Sequence, residues 1–231
     1  MTTTNETLTE TMIQASEAEN SRLNRRKFLF GAGLAAGAVA LAACAGDDDG
    51  DVNAGGDNGD DGDKADVTEG DLDVVAFAAG LEVLAVQTYQ AALDAATSGA
   101  LGEIPDAGAE FVKTALAHHK EYVENFNAVL TGAGREEVTE PNAAVKSSVV
   151  DPALAAAKTF GDAAKLARTL ETAASATYLK AIQENLEGAG VLRTAGSIQI
   201  VNQQRIAILN FVLGTYPVPD VFQKTDAAVA P

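Results

Sequence analysis

The chain is 231 residues long and carries 33 Asp and Glu against 16 Lys and Arg, a formal net charge of −17 at pH 7. Such acidity argues against a nucleic-acid partner, because the phosphate backbone demands a positive patch. Its one cysteine, Cys44, rules out a disulfide framework or a cysteine-built zinc site within one chain.

Residues 1–43 read as an export address. Asn24-Arg25-Arg26-Lys27-Phe28-Leu29 resembles the twin-arginine signal of bacteria, with Arg25 and Arg26 as its pair. Residues 28–43 are apolar and uncharged, but these 16 residues fall short of the ~20 that a membrane span needs. A cleavable signal peptide is expected rather than a transmembrane helix. Leu41-Ala42-Ala43-Cys44 looks like a bacterial lipobox, in which the cysteine receives a lipid and becomes the first mature residue. The plainer alternative is a non-lipidated signal with a chance cysteine. With lipid on Cys44, the protein is expected to be exported and anchored to the outer face of the bacterial cytoplasmic membrane without spanning it.

Residues 44–71 form an acidic, Asp/Gly-rich linker, with 11 acids from Asp47 to Asp71 against one base, Lys64. Such a segment cannot bury apolar surface, so it is expected to be an extended, disordered spacer. The Asp57–Asp63 run lacks the distal bidentate glutamate of a calcium loop, which favours a solvated spacer over a calcium site. Residues 72–231 hold 18 acids and 11 bases and suffice for one domain with a sizeable core.

That domain reads as all-α, because apolar residues recur at three- and four-residue spacing in four segments and nothing alternates as a strand would. The first helix is expected at about 73–96 and the second at about 107–130, with Gly132 and Gly134 stopping it. The third is expected at about 152–187, continuous or in two pieces, with Gly188 and Gly190 ending it. The fourth is expected at about 192–213, with Gly214, Pro217 and Pro219 beyond it. Short loops join one to two and three to four, whereas 131–151 is a long crossover. Four antiparallel helices with one long crossover between helices two and three is the connectivity of ferritin-like bundles.

A glutamate followed seven residues later by a tyrosine occurs on the first helix, Glu82 and Tyr89, and again on the third, Glu171 and Tyr178. Seven residues is close to two turns, so each pair shares one helix face. Both tyrosines are expected to be core aromatics whose hydroxyls bond a polar partner. Ordinary carboxylates at the edge of the apolar stripe are the plainer alternative for the two glutamates.

With these residues the chain resembles the bacterial ferritin-like domain family, including its exported twin-arginine branch, over most of 72–213. In that family the first and third helices each supply a Glu, and the second and fourth each supply a Glu and a His three residues apart. Together they bind two iron or manganese ions. By this resemblance Glu82 and Glu171 match the single-Glu positions, His119 and Tyr122 replace the second-helix Glu and His, and Asn202 and Arg205 replace those of the fourth. Asn202 is a weak neutral ligand, and Arg205 can only donate, so it repels a metal. The departure implies a degenerate di-metal site.

Two buried carboxylates need compensation. Arg205, facing both Glu82 and Glu171, is expected to supply one positive charge and a protonated His119 the second, giving a metal-free ionic core. His118 points about 100° away from His119 and is expected at the surface. Gln199 and Gln203 are expected to be polar fillers.

Two functions stand open. One is a non-enzymatic, lipid-anchored cell-envelope module for binding or structure, without a cofactor. The other is an iron or manganese oxidoreductase or metal-binding protein with a non-standard ligand set, in which His119 and Tyr122 still coordinate. No catalytic residue is assigned, since no nucleophile, histidine and acid grouping stands out. Neither a protein partner nor an oligomeric state follows from the sequence.

Overall fold

The computed structural model describes residues 67–230. The expected export signal with Arg25 and Arg26, Cys44, and the expected linker up to residue 66 lie outside the described residues. The described chain is helical, with no strand among the described residues. It comprises α1 (Glu69–Thr97), α2 (Asp106–Gly132), α3 (Ala143–Val145), a π-helical turn (Lys146–Val150), α4 (Asp151–Ala156), α5 (Phe160–Glu184) and α6 (Ala189–Val212).

Helix α1 starts four residues before its predicted position, and the reason is a cap. The Asp71 amide donates to Thr68 Oγ1 at 3.1 Å while the Thr68 amide donates to Asp71 Oδ2 at 2.8 Å. This reciprocal box satisfies two amides that a helix start leaves orphaned. Glu69 and Asp71, assigned from composition to the linker, therefore lie in the first turn, where the helix dipole favours acids. Asp71 is also fully covered and accepts the amides of Glu187 at 2.8 Å and Gly188 at 3.1 Å. It ties the start of α1 to the α5–α6 loop. By length and composition α1 could cross a membrane, but its apolar window is largely covered by the rest of the bundle.

Helix α2 ends as predicted. Gly134 adopts φ 78°, a left-handed cap that glycine takes without strain, and the Arg135 amide returns to the Leu130 carbonyl at 2.9 Å. The crossover then lies against α1 and α2. Asn127 brackets Val138 through both its amide oxygen and nitrogen, and the Asn142 amide donates to Gly80 O at 2.9 Å.

Of the two forms expected for the third helix, the structure has the two-piece one, α4 and α5. Ala157 turns extended after α4, and Thr159 and Asp162 form a second capping box that restarts the chain as α5. Gly188 caps the start of α6, whereas Gly190, expected as a terminator, is buried in that helix's first turn. Residues beyond α6 fold back: Gln223 Nε2 donates to Ser175 Oγ at 2.7 Å and the Val229 amide donates to Thr177 Oγ1 at 2.9 Å.

Helix α1 packs along α2, α5 along α6, and α1 meets α5. One apolar cluster is built around Leu72, Val75, Ala79, Phe126, Leu130 and Ile198, and another around Ala85, Tyr89, Ala115 and Leu116. A layer of buried polar side chains is also drawn from four helices.

Candidate functional site

Each long helix contributes to this layer. Glu82 comes from α1, His119 and Tyr122 from α2, Glu171 from α5, and Asn202 and Arg205 from α6. Three-residue spacing puts His119 with Tyr122, and Asn202 with Arg205, on common helix faces. Glu82, His119, Glu171, Asn202 and Arg205 are buried, and Tyr122 is partly buried. The sequence-predicted residues are therefore brought together.

Histidine 119 sits between the carboxylates. Its Nδ1 donates to Glu82 Oε2 at 2.5 Å and its Nε2 to Glu171 Oε1 at 3.2 Å. Burial alone would lower its pKa, but the two carboxylates outweigh burial and raise it from 6.5 to about 9. It is thus an imidazolium at neutral pH, with no lone pair for a metal or a proton.

Arginine 205 places Nη1 at 3.3 Å from Glu171 Oε2 and at 3.1 Å from Asn202 Oδ1. Its Nη2 donates to His118 Nδ1 at 2.9 Å, and its guanidinium lies 5.8 Å from the Tyr122 ring centre, in reach of a cation–π contact. Arg205 Nη1 also comes within 3.3 Å of His119 Nε2. With His119 protonated both are donors, so this approach is not a hydrogen bond. Glu171 Oε1, their shared acceptor, holds them there.

Two sequence expectations need correction. Arg205 forms an ion pair with Glu171 but, among the described residues, not with Glu82, whose cation is His119. His119 reaches both carboxylates, while the guanidinium turns towards Asn202 and His118. His118 is likewise not a plain surface residue, because it is half-buried and accepts from Arg205.

The tyrosines cross over. Tyr89 of α1 donates to Glu171 Oε1 of α5 at 2.7 Å, and Tyr178 of α5 donates to Glu82 Oε1 of α1 at 2.6 Å. This reciprocity also fixes α1 and α5 as antiparallel. Burial and the neighbouring carboxylates raise both hydroxyls well above the ordinary tyrosine value, so both stay protonated donors. Glu171 accepts from Tyr89, His119 and Arg205. Burial raises its pKa, but His119, Arg205 and Tyr89 together bring it below the ordinary value. Gln203 extends the polar set by donating to Ser175 Oγ at 2.7 Å.

The family resemblance implies iron or manganese, and these residues do not fit a dinuclear centre. Both His119 nitrogens are occupied by carboxylates, Arg205 donates only, and Asn202 Oδ1 accepts from Arg205. Burial raises Tyr122, Arg205 pulls it back, Glu82 pushes it up, and the net rise disfavours a phenolate ligand. Among the described residues, no group of three or more His, Cys, Asp or Glu side chains is arranged to hold a metal ion. Next to the layer, a cavity of about 30 Å³ lined in part by Glu82, Tyr89, His119 and Glu171 has room for about one water. Asn202 Nδ2 is the buried side-chain donor left unpaired among the described residues.

No curated protein and no solved structure matches the chain. The model of one family, described as the ferritin-like domain, matches residues 70–215. This match spans more than half of the chain and coincides with the helical bundle, and the protein therefore belongs to the ferritin-like domain family.

Proposed function

We propose that this protein is a lipid-anchored, cell-envelope ferritin-like bundle that has exchanged di-metal chemistry for an internal ion-pair network and acts as a binding or structural module. The observation that carries this reading is Arg205, whose guanidinium contacts Glu171 from a position that the family gives to a metal-binding histidine. His119 supplies the second cation and reaches one oxygen of each carboxylate, while Tyr178 donates to the other oxygen of Glu82. Two carboxylates and two cations then balance without a metal. Anchoring rests on the sequence: Arg25 and Arg26 ahead of an apolar run, Cys44 at the lipobox position, and an acidic spacer behind it.

The deciding measurement is the metal content of protein purified from its native host. Well under one iron or manganese per chain is expected. Stoichiometric metal that disappears in Glu82→Ala would overturn the reading. Anchoring has its own test in cell fractionation: the protein should sediment with membranes and Cys44→Ala should not, whereas equal partition of the two would remove the anchor.

A further inference from the structure

At the end of the bundle where α1 stops and α2 and α5 begin, the helices enclose a cavity of about 700 Å³. Its volume lies in the range of small-molecule sites, roughly 300–1,000 Å³. None of the side chains lining it is charged, and ten of its lining residues are alanine, whose short side chains leave the space open. Only Thr88 and Tyr89 bring polar side-chain atoms, and both hydroxyls already donate elsewhere, Thr88 to Leu84 O at 2.8 Å and Tyr89 to Glu171 at 2.7 Å. The mouth is apolar too. Ile208, Phe211 and Val212 line the cavity from α6 and are nevertheless 49%, 74% and 44% exposed.

This chemistry selects its occupant. Water finds few partners on such walls, where the Thr88 and Tyr89 hydroxyls offer only acceptor lone pairs, and an empty void costs stability in proportion to its volume. A polar ligand would lose more hydration than two hydroxyl acceptors could restore. A hydrocarbon chain gains with every methylene it buries and needs no directional contact. We infer that the cavity is a binding site for one long acyl chain of a lipid, entering past Phe211 with its polar head left at the mouth. The site meets the ionic layer through Tyr89, whose hydroxyl donates to Glu171, and its apolar walls do not depend on whether that layer binds metal.

The test uses the full chain bearing Cys44→Ala, so that no acyl group of its own competes, and a polyene fatty acid whose fluorescence rises in apolar surroundings. Saturable binding at one probe per chain, below the probe's aggregation concentration, with displacement by palmitate, is expected. Ala164→Phe and Ala92→Phe fill the space and should weaken binding at least tenfold while circular dichroism keeps the helical signal. Phe211→Asp changes an exposed residue, leaves the core alone, and should also weaken binding. Binding that appears only above the aggregation concentration, or that is equal in all variants, overturns the inference. So does a Phe211→Asp protein that changes its oligomeric state while its probe affinity stays the same, since a second copy would then be what covers the mouth.

Discussion

Arg205 and His119 are both cations of one layer, yet they do different work. His119 touches each carboxylate, whereas Arg205 meets Glu171 and directs its other donors to Asn202 and His118. Arg205→Met keeps the length and removes the charge, leaving two buried carboxylates against one imidazolium. Breaking a buried pair in this way costs about 3–5 kcal/mol, and urea unfolding should record a loss of that size. Adding Glu171→Gln restores the balance, so the double variant should lose less than the sum of the two singles. A strictly additive result would mean that the pair does not interact. The pH dependence follows from the same residues. The His119 pKa is raised on folding, so its contribution is fully present below about 6.5 and is lost as pH rises through about 9, on the order of 3 kcal/mol in all. The Glu171 pKa is depressed, so its contribution is present above 4.5 and is lost as pH falls below that. The thermal midpoint should hold between these limits and fall towards alkaline pH, and His119→Gln should flatten the alkaline fall. An unchanged alkaline slope in that variant would assign the loss to other groups. The sequence shows that Glu82 shares a face with Tyr89, and Glu171 with Tyr178, but not that each tyrosine serves the opposite helix. Cross-helix register decides that pairing, and seven-residue spacing within one helix carries no register. His118 escapes sequence reading for a similar reason: a 100° turn from His119 points away from the carboxylates, yet the long Arg205 side chain spans the difference.

The helices themselves are legible because burial imposes their three- and four-residue spacing, and their interruptions are less so. Glycines illustrate the limit. Gly134 ends α2 in a left-handed conformation, while Gly190 lies inside α6, and composition alone does not separate these roles. The break between α4 and α5 is a capping event at Thr159 and Asp162 within an otherwise helical run of alanines, so apolar periodicity passes over it. Asp71 is the costliest misassignment, because an acid at the end of an acidic linker looks solvated. Its carboxylate instead accepts from Thr68 and from the amides of Glu187 and Gly188, joining the first helix to the loop between the last two. Burial raises its pKa, but hydrogen bonds from Thr68, Glu187 and Gly188 outweigh this and keep it ionised. Asp71→Ala removes a helix cap and strands two loop amides, which should cost about 2–4 kcal/mol in chemical denaturation. Asp71→Asn keeps an accepting oxygen and should lose only part of that. A loss in Asp71→Ala no larger than an ordinary exposed cap would show that the loop amides find other partners.

For the molecule as a whole, the bundle is a container whose interior charge must close. In the family pattern four glutamates and two neutral histidines leave four negative charges, which two divalent ions neutralise. Here Glu82 and Glu171 leave two, and His119 and Arg205 neutralise them from within the chain. The two solutions exclude each other, since an arginine that balances a carboxylate also repels an ion. Four substitutions should therefore convert one into the other: His119→Glu, Tyr122→His, Asn202→Glu and Arg205→His. Without metal, the converted protein carries four buried carboxylates and should melt far below the parent. Iron(II) or manganese(II) should raise its midpoint progressively, by about 2.7 kcal/mol of stability at a hundredfold excess over the dissociation constant. The parent's midpoint should not move over the same titration. A saturable, metal-dependent rise in the parent would mean that its glutamates still hold an ion, and the self-neutralised core would have to be abandoned. A converted protein indifferent to metal would show that the bundle, and not only its ligands, has drifted from the geometry that a metal pair needs.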